Sequence, residues 1–131
     1  MAKIIRQSVV LAASPAALYD MYLDRKRHSA IIDAKVNIRR KPGAPFSAWD
    51  GSITGRVLQL VPKRLIVQTW RAEDWRKNDV DSTLILSFHA DPRGGRIDLV
   101  QVNVPDRHAA SISDGWRSFY WKPWREYLKR K

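Results

Sequence analysis

Three histidines, thirteen carboxylate side chains and no cysteine are what this chain of 131 residues has for building a reaction centre. His28, His89 and His108 stand far apart and lack a spacing such as His-x-x-x-His, which sets two imidazoles on one helix face for a metal. They read as surface or helix-end histidines, although folding could still bring His108 to the others. Without cysteine there is no thiolate ligand, no thiol nucleophile and no disulfide framework, which fits a reducing compartment. Asp20 and Asp24 are four residues apart, where paired carboxylates can do acid–base work. A helix cap and solvent exposure account for them more simply. Ser, His and Asp occur in no nucleophile-elbow motif, and Gly94-Gly95 reads as a hairpin turn rather than a phosphate-cradling loop. The expectation is a domain that is not an enzyme and uses no metal and no cofactor.

Binding chemistry is better represented. Alternation places Ile66, Gln68 and Trp70 on one strand face, Leu84, Leu86 and Phe88 on another, and Ile97, Leu99, Gln101 and Asn103 on a third. Amides on apolar faces suit the orientation of a ligand in a hydrophobic pocket. They equally suit buried amides satisfied by the protein, or a strand end at a rim. Charge is the other signal: 24 Lys and Arg against 13 acids give a formal +11 and a pI near 10.4. Such a balance favours acidic partners, or simply a solvated surface. The cations fall in short groups, Arg25-Lys26-Arg27, Arg39-Arg40-Lys41 and Lys129-Arg130-Lys131, and they crowd the last helix from Arg117 through Arg125. Helix-dipole complementarity explains cations in the last turn only. Arg25, Arg27, Arg39, Arg40, Lys41, Arg125, Lys129 and Arg130 are therefore the candidates for a polyanion or acidic partner. No nucleic-acid motif accompanies them, so nucleic acid ranks last.

The elements that must position these residues follow from periodicity. Lys3 to Leu11 reads as a strand, and Ser14-Pro15 as an N-cap and first helical residue. Leu18, Met21 and Tyr22 form that helix's apolar face, and Asp24 caps a second short helix through Ile32. Lys35 to Arg39 is a short edge strand. Phe46 to Trp49, Asp50-Gly51 and Ser52 to Leu60 form a hairpin about residues that accept positive φ. In the second arm Arg56, Leu58 and Leu60 compete with Ile53 and Val57 for the core, so its facing stays open. Strands follow at Arg64 to Arg71, Ser82 to His89 and Arg96 to Val104, with a polar loop from Ala72 to Asp81 carrying Trp75. Ala109 to Leu128 is a long helix whose stripe is Ile112, Trp116, Phe119, Tyr120, Pro123, Trp124 and Tyr127. Pro123 lies late within it and should bend it. Runs of strands and segregated helices make an α+β class, a curved antiparallel sheet around one long C-terminal helix with two short N-terminal helices.

The hairpin Phe46-Ser47-Ala48-Trp49-Asp50-Gly51 with Gly55, then Leu60-Val61-Pro62, Ile66 to Arg71, Trp75, Val104-Pro105, Gly115-Trp116, Tyr120-Trp121 and Pro123, carry a resemblance. From Ser14-Pro15 onward the chain resembles the family named for the activator of the heat-shock-protein-90 ATPase, within the START and Bet v 1-like superfamily. The resemblance implies a helix-grip fold, often with a cavity between sheet and C-terminal helix, and covers one domain of the activator, its C-terminal one. It also implies that the Ile66–Gln68–Trp70 face points inward.

The combined expectation is one domain spanning residues 1–131, soluble and cytoplasmic, with no signal peptide and no membrane span. It would bind a hydrophobic small molecule between sheet and helix. Ile66, Gln68, Trp70, Leu86, Phe88, Gln101, Asn103, Trp116, Phe119 and Tyr120 are the candidate lining. The alternative is a chaperone-associated interaction module that holds no ligand.

Overall fold

A computed structural model describes residues 2–130, so Lys131 of the last basic group lies outside the described residues. β1 (Ala2–Leu11) leads to α1 (Pro15–Leu23), where the Ser14 hydroxyl oxygen accepts the Ala17 N–H at 3.1 Å and Pro15 opens the first turn. Leu18, Tyr19, Met21 and Tyr22 are its buried face. Asp24 then caps α2 (Arg25–Ile32) by accepting the Lys26 and Arg27 N–H groups at 3.0 and 3.1 Å. Asp20 is neither a cap nor free. Lys63 and Arg40 clasp its carboxylate at 2.6 and 2.9 Å, and the Lys63 hydrogen bond first, Arg40 second, hold it below the usual carboxylate range.

The sheet continues with β2 (Val36–Asn37), β3 (Pro45–Ala48), β4 (Ile53–Val61), β5 (Leu65–Ala72), β6 (Ser82–Asp91) and β7 (Gly94–Pro105). All seven strands pair antiparallel in the order β1-β7-β6-β5-β4-β3-β2. Antiparallel pairing needs only short connections, which is why one run of tight turns suffices. The β3–β4 turn uses Trp49, Asp50 and Gly51 at φ 48°, 57° and 95°. A Cβ at Gly51 would meet nothing within 4 Å, so any cost of substitution there is backbone strain rather than collision. Gly51→Val is expected to destabilise by about 1 kcal/mol or more in denaturant melts; an unchanged midpoint would show that the turn tolerates a β-branched residue.

The unassigned facing of β4 has a physical cause. A bulge between Val57 and Gln59 breaks the alternation, so Val57 and Leu60 both turn toward the core while Leu58 is 46% exposed. Gly55 sits where a Cβ would lie 1.9 Å from the Thr69 carbonyl oxygen, a close approach that only glycine permits.

The final helix begins at Asp106, directly after Pro105, rather than at Ala109. It runs as α3 (Asp106–Trp116), a π turn (Arg117–Trp121) and α4 (Lys122–Lys129). In the π turn the Lys122 N–H reaches back five residues to the Arg117 carbonyl. Pro123, with no N–H for the Phe119 carbonyl, follows at once. The wide turn advances the inward face. Trp116, Tyr120, Trp121, Trp124 and Tyr127 are buried, whereas Phe119 is 59% exposed. A uniform 3.6-residue period places Phe119 on the buried stripe and leaves Trp121 off it; the extra residue in the turn exchanges them. Trp121 Nε1–H donates to Gln7 Oε1 at 2.7 Å, and Gln7 Nε2–H donates to the Ser113 carbonyl at 2.7 Å, which ties the helix to β1. Trp124 Nε1–H points at Met21 Sδ, 3.4 Å away, and ties it to α1. The result is a curved sheet gripping a helix across an aromatic core.

Candidate functional site

Where α3 leaves the sheet, a groove of about 490 Å³ opens to solvent. β5 supplies Trp70, and the β3–β4 turn and start of β4 supply Trp49 and Ile53. The loop after β5 supplies Trp75, and the helix supplies Ile112, Trp116, Phe119 and Tyr120. Its aromatic rings form a chain, Trp75–Trp70–Trp116–Tyr120–Trp49–Phe119, with successive centroids 5.7, 6.4, 4.6, 5.6 and 6.2 Å apart. Such tilted and edge contacts give the rings a large continuous apolar surface. Ser52, Asp74, His108 and Ser111 add polar groups to the lining.

Trp75 belongs to this site although its segment reads as a polar loop. Arg71 holds the loop by donating to the carbonyls of Arg76 and Asp79 and pairing with Asp81 at 2.6 Å. Arg107 clamps Asp79 from the helix side. Trp75 is thereby buried between Trp70 and His108, whose ring stacks on it at 17° with centroids 6.3 Å apart. Trp75 Nε1 and His108 Nε2 are shielded from solvent and have no hydrogen-bond partner among the described residues. The signal in the sequence was the pair of tryptophans five apart across Arg71; the loop's polarity masked it. Trp49 closes the first arm of the hairpin in the sequence pattern, which does not mark it as part of this wall.

Of the candidate lining, Trp70, Trp116, Phe119 and Tyr120 border the groove. Ile66, Leu86 and Phe88 lie in the closed core. Gln68 and Gln101 are fully buried and engaged by the protein, not presented to a ligand. Tyr22 O–H donates to Gln68 Oε1 at 2.5 Å, and Trp116 Nε1–H donates to Gln101 Oε1 at 2.9 Å. Gln101 Nε2–H continues to the Ser82 hydroxyl at 3.0 Å, which donates to the Trp70 carbonyl at 2.6 Å. This network holds the Trp116 indole and the backbone at Trp70 beneath the groove. Asn103 is not inside: it sits at φ 65°, half-buried, and donates to the Asp81 carbonyl at 3.3 Å.

His28 is not a surface or helix-end histidine but an interior one. Its Nδ1 lies 2.8 Å from the Tyr22 carbonyl, which can only accept, so Nδ1 carries the proton. Nε2 then accepts from the Tyr120 O–H at 2.9 Å. Burial pulls the imidazole down to about 4, and burial pushes the Tyr22 and Tyr120 phenols up. His89 lies instead beside Asp98, 3.3 Å away on the outer face. Among the described residues no group of three or more His, Asp or Glu could hold a metal.

The candidate cations divide between places. Arg25 donates to Asn37 at 3.3 Å, Arg27 pairs with Asp24 at 3.3 Å, and Arg40 is held by Asp20. Arg39 and Lys41 are exposed near the end of β2. Arg125 and Lys129 line a depression beside β1, while Arg130 faces the end of α2. They form no single patch.

Residues 12–129 match the family described as activator of Hsp90 ATPase homolog 1-like protein. The chain belongs to this family. An activator of 90 kDa heat shock protein ATPase homolog from Dictyostelium discoideum is 30% identical over 105 residues, 79% of this chain and 27% of that protein. The human activator of 90 kDa heat shock protein ATPase homolog 1 is 25% identical over 111 residues, 83% of this chain and 32% of that protein. The chain thus spans about a third or less of these relatives. A solved Hsp90 activator from Plasmodium falciparum superposes with TM-score 0.82 at 20% identity, over 98% of this chain and 96% of that one. A protein from Mesorhizobium loti gives 0.83 at 18% identity, over 98% of both chains. These structures establish the helix-grip fold for this family member. Among the described residues, no helix is long and apolar enough to cross a membrane.

Proposed function

We propose that this family member is a non-enzymatic binding domain that takes an apolar, aromatic-sized group into the groove between the β3–β4 turn and α3. The observation that carries this reading is the continuous wall of rings from Trp75 to Phe119 around about 490 Å³. Ligand sites are concave, mostly apolar, typically about 300–1,000 Å³, and carry few polar groups.

The test is titration with a panel of apolar and aromatic compounds, including anilinonaphthalene sulfonate. Binding should change tryptophan fluorescence and raise stability by about 2.7 kcal/mol at a hundredfold excess over Kd. Ile112→Trp, which adds bulk to the wall, should remove both responses while the protein stays folded. No response across the panel would sink the ligand reading.

A second reading is a chaperone-interaction module, favoured by the names of the relatives and by the net charge of +11. In it the exposed Phe119 and its groove receive an apolar side chain of an Hsp90-type chaperone. The separating measurement is the ATPase rate of such a chaperone with and without this domain. A rate unchanged by saturating domain counts against it.

A further inference from the structure

The strongest unassigned feature lies along β1, at the edge of the sheet. Phe88 N–H donates to the Arg64 carbonyl, so even-numbered residues of β6 turn their backbone toward β5 and odd-numbered ones toward β7. Carried through the register Ser87–Asp98 and Ile85–Val100, this makes Ile97, Leu99 and Gln101 face β1. Their partners Val9, Gln7 and Ile5 face back. Arg6, Ser8 and Val10 therefore direct their N–H and C=O groups away from the sheet. Arg125 agrees with this count, since its guanidinium donates to the Val10 carbonyl at 3.0 Å. The remaining outward groups have no partner among the described residues.

This edge forms one wall of a groove of about 740 Å³ whose other wall is the π turn and α4. Arg6, Arg93, Arg117, Lys122 and Arg125 line it, and no carboxylate does. Arg93 and Arg117 are paired with Asp91 and Asp114, while Arg6 and Lys122 have no ion pair among the described residues. The groove shares no lining residue with the aromatic one. An open strand edge normally invites pairing with another chain, and proteins blunt it with charge. Here the charge is of one sign and flanks the edge as a trough.

We infer that β1 is a docking edge for an extended acidic peptide segment, which adds as an antiparallel or parallel eighth strand while its carboxylates meet Arg6, Lys122 and Arg125. The outward edge presents N–H donors and C=O acceptors in alternation; a polypeptide backbone can pair with both, whereas a phosphodiester offers acceptors only. A second copy of this chain fits poorly, since it brings the same positive charge to the edge. The inference is independent of the reading of the aromatic groove.

The experiment uses a fluorescein-labelled peptide of alternating Glu and Val. Beside it run a version N-methylated at alternate residues and a single-stranded DNA of equal charge. The plain peptide should bind with an affinity that falls as salt rises past about 0.15 M. It should also protect the amides of Arg6 and Ser8 from hydrogen exchange. N-methylation, and Ser8→Pro in the protein, should each weaken binding about tenfold or more by removing strand pairing. The Ser8 N–H faces outward, so proline leaves the β7 ladder intact. Ser8→Ala, which loses only the hydroxyl bond to Asp98, should bind like the parent. Arg6→Glu with Lys122→Glu should abolish binding. Equal binding of DNA and N-methylated peptide would overturn the inference in favour of charge alone. So would absence of binding, or sedimentation as a dimer that hides β1.

Discussion

Trp124→Ala is expected to lower the unfolding free energy by about 3–5 kcal/mol, the range for removing a large buried aromatic side chain. Trp124 is 1% exposed, stacks on Trp121 with centroids 6.2 Å apart, and reaches Met21 through its indole nitrogen. It thus joins α4 to α1 across the core, and a void there removes contacts on both elements at once. Its location just after the π turn matters too. Without the tryptophan, the helix has less reason to hold the register that buries Trp121 and exposes Phe119. Denaturant melts by far-UV and near-UV circular dichroism check this. Trp124→Phe, which retains most of the ring, should lose far less. A change under about 1 kcal/mol for the alanine variant would mean that the core can close around the void.

The second large effect is a pH dependence centred on His28. Its folded imidazole titrates near 4, because burial disfavours the cation, against 6.5 for a free histidine. Between these values the unfolded chain binds the proton and the folded chain does not. Stability is therefore fully present above pH 6.5 and declines as pH falls toward 4, by about 3 kcal/mol over the window. The carboxylates with lowered values, Asp20, Asp24 and Asp98, lose their contribution at still lower pH. The check is a series of urea melts from pH 7.5 to 4 on the parent and on His28→Gln. The variant should be weaker at pH 7, since the Tyr22 carbonyl and Tyr120 hydroxyl lose their fixed partner. Its curve should also be flatter between pH 6.5 and 4. Parallel curves for the two proteins would refute the assignment. The consequence reaches the aromatic groove, because Tyr120 is shared by the His28 network and the groove wall. Acidification should loosen that wall before it unfolds the sheet.

Helix caps and the hairpin turn were legible along the chain. Ser14-Pro15 and Asp24 start two helices because their side chains and rings act on the next three residues only. Asp50-Gly51 turns the chain because positive φ is a property of the residue itself. The alternation in β5, β6 and most of β7 disclosed which side chains share a face, and with the stripe of the last helix it implied a curved antiparallel sheet around that helix.

What tertiary structure alone decided is how the shared faces were used. Gln68 and Gln101 stand on apolar faces, as read, but the hydroxyl of Tyr22, 46 positions away, and the indole of Trp116 occupy them. The bulge at Val57–Gln59 and the π turn at Arg117–Trp121 each insert one residue into a period. An insertion of that kind moves every later side chain onto a new face, and nothing in the residue types marks it. Trp75 is buried in a polar loop because Arg71 and Arg107, from a strand and from the helix, hold that loop in place. The basic residues beside β1 come from a strand, a hairpin and a helix that periodicity treats separately. The residues and their local conformations came from the chain itself. The grooves came from which distant groups satisfy one another, because a buried polar atom must find its partner wherever the fold supplies it.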